Sequence, residues 1–220
     1  CRHPGCSTRK MVMSEPRLLL VTLNFPPPLV GGARVYLHHL LAHLPPGCAT
    51  VLTTQAQDTS SDGWDRQQTY TTRRLHFSFS YQQRYNRTQK VRFFLGWMRA
   101  LWKQIEDVDI VILANIFHLG MLTRFLCAVR RTPYIVIAFG EELSAAAQAE
   151  NSLRSSLRRA IYGWTLKGAR SIVSISRETS ALVRAITDAE LIEIYPPTPL
   201  PTTIPDSHYV VAFRTQWHVG

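Results

Sequence analysis

The stretch Leu18-Leu19-Leu20-Val21-Thr22-Leu23 runs straight into Asn24-Phe25-Pro26-Pro27-Pro28, and after Leu29-Val30 comes Gly31-Gly32. A short, unbroken apolar run reads as a strand buried on both faces. Three successive prolines can join neither a central strand nor a helix interior, so the chain must leave the sheet there as a stiff, extended loop. The glycine pair lets the backbone turn sharply and leaves the first amides of the following helix uncovered by side chains. Such amides form a seat for an anion. From Ala33 onward Val35, Leu37, Leu40, Leu41 and Leu44 recur every three or four residues, with Arg34, His38 and His39 between them. That is the pattern of a helix with one buried stripe. Strand, glycine loop and helix in this order open a nucleotide-binding type of α/β domain. Gly-Gly is not G-x-G-x-x-G, however, and the pair also suits a plain tight turn.

Working outward, Pro45-Pro46-Gly47 ends the first helix and residues 49–54 read as a second strand. Residues 55–72 are polar, with Asp62-Gly63 as a turn signal, and read as a long surface loop. Leu75, Phe77 and Phe79 alternate with His76 and Ser78, which suggests a third strand at 75–79. Residues 84–106 interleave Arg87, Lys90, Arg92, Arg99 and Lys103 with Phe93, Phe94, Trp97, Met98, Leu101 and Trp102. This is a helix that either lies on anionic lipid or covers the sheet with its aromatic side and leaves its charges in water. The alternation then becomes regular: strands at 109–113, 133–138, 171–174 and 191–195, helices at 117–131, 153–167 and 176–186. Ser176 suits the cap of the last helix, with Glu178 in its first turn. Strands alternating with helices make a mostly parallel, Rossmann-like α/β sheet covered on both faces.

A chain of 220 residues with 45% hydrophobic residues is not disordered, and it has room for one sizeable core plus a fragment of a second domain. Its charge of +10 favours anionic partners: a membrane surface, nucleic acid or phosphorylated small molecules. Cys1, Cys6, Cys48 and Cys127 make no metal-ligand spacing, which fits a reduced, cytoplasmic compartment. Residues 1–16 lack the apolar core of a signal peptide and read as a non-native or disordered leader, with Met11 or Met13 as the start. The most membrane-like window, 108–129, carries Asp109, Asn115, His118 and Arg124, so no spanning helix is expected.

In such sheets ligands bind beyond the carboxyl ends of the strands. That edge collects Asn24 with Gly31 and Gly32, then Asn115 and His118, then Gly140, Glu141 and Glu142, and finally Ser176. Each also has an ordinary explanation. His118 suits a helix start facing solvent, Glu141 and Glu142 the first turn of a short helix, and Ser176 a cap. No Ser/His/Asp order, zinc spacing or carboxylate pair stands out. Nor is there a nucleic-acid-binding signature, although a non-enzymatic basic module binding anionic membrane or RNA is the alternative reading.

Phe25-Pro26-Pro27, Gly31-Gly32 and Tyr36 with Leu40-Leu41-Ala42 and Leu44 resemble the opening of family-4 glycosyltransferases. Asp109-Ile110-Val111, then Pro133-Tyr134-Ile135-Val136, then Phe139-Gly140-Glu141-Glu142-Leu143 are similar to that family's approach to a His-Gly-x-(Asp/Glu) motif. Residues 169–176 and Ile194-Tyr195-Pro196-Pro197 are similar to its later segments. The resemblance spans residues 17–200 and implies the acceptor-side, N-terminal half of a two-domain GT-B fold. It implies retaining transfer from a nucleotide-sugar co-substrate to a sugar, lipid-linked or small-molecule acceptor, with no metal and no other cofactor. It places Gly31, Gly32 and Gly140 at the donor's phosphates and sugar, and Glu141 beside the sugar. Asn24, Asn115, Glu142 and Ser176 then line the acceptor side or the cleft. Phe139 stands where the family has its histidine, which leaves His118 as the candidate replacement. Thr198-Pro199 replaces the family's glycine-valine, and residues 201–220 read as a linker with the truncated start of a donor-binding domain, its first strand at 208–213. The cysteine usage and the missing signal peptide suggest a cytoplasmic protein, and the basic stretch 84–106 allows peripheral contact with an anionic membrane.

Overall fold

The computed structural model describes residues 15–55, 61–76, 86–147 and 153–196. The expected leader, the strand at 208–213 and the linker of 201–220 lie outside the described residues, apart from residues 15 and 16.

Among the described residues one parallel sheet runs β3-β2-β1-β4-β5-β6-β7. Its strands are β1 (Leu18–Val21), β2 (Ala49–Thr54), β3 (Thr71–Leu75), β4 (Ile110–Leu113), β5 (Tyr134–Ala138), β6 (Ser171–Ser174) and β7 (Leu191–Glu193). The helices are α1 (Gly32–Ala42), α2 (Asp62–Asp65), α3 (Arg87–Ile105), α4 (Ile116–Arg130), α5 (Gly140–Ala147), α6 (Leu153–Lys167) and α7 (Arg177–Arg184). The strand order reverses at β1, where β2 lies to one side and β4 to the other. This is the switch point at which a crevice opens in doubly wound sheets.

Successive strand residues point to opposite faces. Leu19, Val21, Val111, Leu113, Val136 and Ile172 meet Trp97, Leu101 and Ile105 of α3, Leu122 and Leu126 of α4 and Leu166 of α6. Leu20, Val51, Ile112 and Ile137 share the other cluster with Tyr36, Leu37 and Leu41 of α1 and with Trp64 of α2. The unbroken apolar run of β1 follows from this two-sided burial.

Two expectations need correction. The polar stretch 55–72 is not all loop: Asp62-Gly63 begins α2, and the edge strand starts at Thr71 rather than at 75. Residues 77–79 of the expected strand lie outside the described residues. An edge strand with only partial burial can carry Thr-Thr-Arg-Arg, so periodicity gave no warning. In α1 the buried positions are Tyr36, Leu37 and Leu41, while Val35, Leu40 and Leu44 are half-buried. The helix is therefore turned slightly from the expected stripe.

Arg74 anchors the proline loop. Its guanidinium forms a two-pronged pair with Asp65 of α2 (2.7 and 2.8 Å) and donates to the carbonyl oxygens of Thr54 and Pro26. A planar, five-donor group suits such a junction of strand, helix and loop.

Candidate functional site

At the carboxyl edge of the sheet, β1, β4 and β5 are tied together by side chains. Asn115, just beyond β4, accepts through Oδ1 from Leu23 N (2.7 Å) and Thr22 Oγ1 (3.0 Å), both just beyond β1. Its Nδ2 donates to Glu142 Oε1 (3.1 Å), and the other carboxylate oxygen accepts from Ile116 N (3.0 Å) at the start of α4. Glu142 thus lies in the first turn of its own helix, as expected, and also caps the neighbouring one. Burial pushes its carboxyl above the ordinary value, against the opposing pull of bonds from Asn115, Ile116 and Phe117. Tyr162 of α6 donates to the Glu142 carbonyl (3.2 Å), which brings a third helix to the junction.

Around this junction is a cleft of about 410 Å3. Of the residues singled out in the sequence, Asn24, Asn115, His118, Glu141 and Glu142 line it together. Ala33 of α1, Phe117, Phe139, Arg158 and Tyr162 also contribute. The starts of α1, α4 and α5 therefore converge on one space. They differ in what occupies them. The α4 start is bonded by Glu142, whereas α1 has no side-chain cap and no acidic residue in its first turn. A methyl group built on Gly31 or Gly32 would meet nothing within 4 Å, and Gly31 has φ 92°, a left-handed conformation that favours glycine. The amides at the start of α1 have no side-chain cap.

Gly31 and Gly32 themselves sit one step behind the lining residue Ala33. Gly140 and Ser176 do not line the cleft. A Cβ on Gly140 would come within 3.2 Å of Thr179 Oγ1, so this glycine lets α5 approach α7. Ser176 Oγ accepts from Thr179 N (3.2 Å) as the cap of α7, and neither residue is among those lining the cleft. Phe139, at the position of the family's histidine, packs edge-on against Tyr36 at 6.0 Å.

His118 is held neutral. Burial, reinforced by the positive charge of Arg158, pushes its imidazole down to about 4. Arg158 lies over the Phe117 ring at 4.6 Å. It is the cleft cation, and sequence reading missed it because it sits in mid-helix, far from any glycine or strand end. The available signal was its i, i+4 spacing to Tyr162, which puts both on one side of α6. Among the described residues no cluster of His, Cys, Asp and Glu is arranged to hold a metal ion.

Against this geometry, a family model described as a glycosyl transferase 4-like domain matches residues 31–198. No curated protein matches the chain in sequence. Among solved structures, the chain is similar to Anabaena Alr3699/HepE in complex with UDP and glucose: 14% identity, TM-score 0.61, covering 92% of this chain and 50% of that one. Thermosynechococcus elongatus sucrose-phosphate synthase matches with 13% identity and TM-score 0.57, covering 93% and 53%. Arabidopsis thaliana UGT89C1 complexed with UDP-L-rhamnose matches with 12% identity and TM-score 0.53, covering 94% and 64%. The chain thus spans between half and two thirds of these relatives' length, and at such identities they establish its fold, one Rossmann-like half of the GT-B type. Because the family model covers most of the sequence, the chain belongs to the glycosyl transferase 4-like domain family.

Proposed function

We propose that the cleft is the acceptor-side wall of a retaining, metal-independent glycosyltransferase that uses a nucleotide-sugar, with the donor's phosphates over the start of α1. One observation carries the reading: of the helix starts that reach the cleft, α4 is already bonded by a carboxylate, while α1 begins with two unobstructed glycines and no cap. Backbone amides there stabilise the charge that develops on a leaving diphosphate. Arg158 adds a positive charge on the same cleft. Glu141, whose carboxylate side chain lines the cleft and is exposed, stands beside the sugar. His118, neutral at pH 7, presents a hydrogen-bonding imidazole rather than a cation, and it takes the place of the family's histidine at Phe139. The resemblance supplies retention and independence of metal; the UDP bound by Anabaena HepE supports a uridine nucleotide.

The Thr22-Asn115-Glu142 network ties the ends of β1, β4 and α4 together beneath the α1 start, Glu141 and Arg158. A few amides and one guanidinium do not amount to a nucleotide pocket, so the 220 residues alone bind UDP-glucose weakly, with a dissociation constant of ~1 mM or higher. Alone they transfer no sugar at a useful rate. Titrating UDP-glucose into the labelled chain should shift the amide resonances of Gly31, Gly32 and Ala33, and Gly32→Asp should abolish the shifts. Shifts confined to residues outside the cleft would refute the site. Steady turnover of a nucleotide-sugar by the purified chain would refute the stated inactivity.

A further inference from the structure

The helices α3, α4 and α6 pack side by side over one face of the sheet. They carry five, two and four Lys or Arg residues and not one Asp or Glu. Their sheet-facing sides are buried in the core, and their outer sides are unusually apolar. Of the fourteen exposed large hydrophobic residues in the described part of the chain, nine belong to these three helices. On α4, Met121, Phe125 and Val129 are each about half exposed and follow one another at four-residue steps, which makes a continuous outward stripe. Trp102 of α3 and Trp164 of α6 are also exposed, and each carries an arginine of α4 over its ring: Arg130 at 3.7 Å and Arg124 at 4.1 Å. Val91, Phe94 and Leu95 extend the apolar surface along α3, and Leu157, 63% exposed, extends it along α6. Of the carboxylates adjoining this face, Glu106 stands just past the end of α3 and pairs with Arg130 at 3.6 Å.

From this combination we infer that the outer face of α3, α4 and α6 docks on an anionic lipid surface, with the helix axes in the plane of the interface. Cations mixed with aliphatic and aromatic side chains satisfy both halves of a headgroup boundary. The guanidinium and ammonium groups meet lipid phosphates, and Phe94, Phe125 and the two tryptophans enter the region of glycerol and upper acyl chains. RNA fits less well, because Val91, Leu95, Met121, Val129 and Leu157 offer nothing to a phosphodiester backbone and form no stacking platform. A second copy fits less well too, since a two-fold contact through this face would set its exposed cations, among them Lys90, Arg92, Arg99 and Lys103, against like charges. The inference does not depend on the glycosyltransferase reading, because the face lies on the helices' outer side and needs no sugar donor.

The test is co-sedimentation of the 220-residue chain with phosphatidylcholine vesicles, alone or with about 30 mol % phosphatidylglycerol, across a salt series. Binding to the anionic vesicles only, weakening with salt, is expected, with tryptophan emission quenched by brominated acyl chains. Replacing Lys90, Arg92, Arg99 and Lys103 by Gln, all exposed, should weaken binding by about 600-fold, at roughly fivefold per charge. The same treatment of Arg66, Arg73, Arg177 and Arg184, exposed elsewhere, should change it by no more than about threefold. Phe94→Ser with Phe125→Ser should remove the quenching and weaken binding while leaving its salt dependence. The inference is overturned by equal binding to both vesicle types, by no binding, or by equal losses in the two charge sets. It is also overturned by single-stranded RNA binding in place of vesicle binding, or by a dimer that shields Trp102 and Trp164.

Discussion

Removal of the Arg74 guanidinium tests whether the proline loop is held by charge or by packing. The side chain is 9% exposed and its partner Asp65 17%, so the ion pair is largely withdrawn from water. Arg74→Ala would leave the Asp65 carboxylate without its two-pronged partner and would free the carbonyl oxygens of Pro26 and Thr54. Breaking a buried pair on one side costs about 3–5 kcal/mol, because the remaining charge stays desolvated. For a domain of this size that lowers the melting temperature by about 6–20 °C. Arg74→Lys should recover less than half of the loss, since an ammonium cannot reach both carboxylate oxygens and two carbonyls from one position. The informative variant is the double replacement Arg74→Met with Asp65→Leu, which removes both charges and fills the space. Its stability should lie within about 1 kcal/mol of the wild type, or above it. Urea unfolding of the set gives the ranking. A double variant as unstable as Arg74→Ala would refute the argument from desolvation and assign the loss to the Pro26 and Thr54 contacts.

Two further predictions concern the cleft. Glu142→Ala should lose about 2–4 kcal/mol by denaturant unfolding, since Asn115 Nδ2 and Ile116 N would both lack this acceptor. Glu142→Gln should lose less than half as much, because burial already disfavours the charge; equal losses would refute this. His118 has a folded-state pKa below its ordinary 6.5, so the unfolded chain binds the extra proton first, and stability is lost as pH falls from about 6.5 to about 4. The contribution is about 3 kcal/mol. His118→Phe should flatten the stability profile over that window, and an unchanged slope would show that other groups produce it.

The order of elements was legible wherever burial is two-sided. Strands such as Leu18–Val21 and Ile110–Leu113 stand where their apolar composition put them, because a central parallel strand is covered on both faces. The edge was not legible, since β3 has one neighbour and Thr-Thr-Arg-Arg-Leu meets no strict pattern. The cleft was legible in part for a similar reason. Residues that follow a central strand, such as Asn24, Asn115 and Glu141, are placed by the sheet itself. Arg158 and Tyr162 reach the same space only because α6 packs on α4, a tertiary fact with no local signature. The second role of Glu142 was equally hidden: a first-turn carboxylate suits its own helix dipole, and nothing in its neighbours' identities reports that it also bonds the start of α4.

The division of labour at this edge follows from those bonds. Asn115 uses its carbonyl on β1 and an amide hydrogen on Glu142, and the two oxygens of Glu142 serve Asn115 and the α4 backbone. Through these bonds two residues that line the cleft hold three strand ends and a helix start in register. Set around them are the groups the proposed function assigns to a ligand: the uncapped start of α1, the Glu141 carboxylate and the Arg158 cation. A wall built this way is rigid before any ligand arrives, which reduces the ordering cost of binding. Its electrostatics follow from the same arrangement. With the inner carboxylate of Glu142 engaged by hydrogen bonds, the open donors are an amide pair and a guanidinium, both of which favour anions, while Glu141 is the one carboxylate left facing the cleft. The proposed placement, a diphosphate over α1 and a sugar beside Glu141, would satisfy both at once.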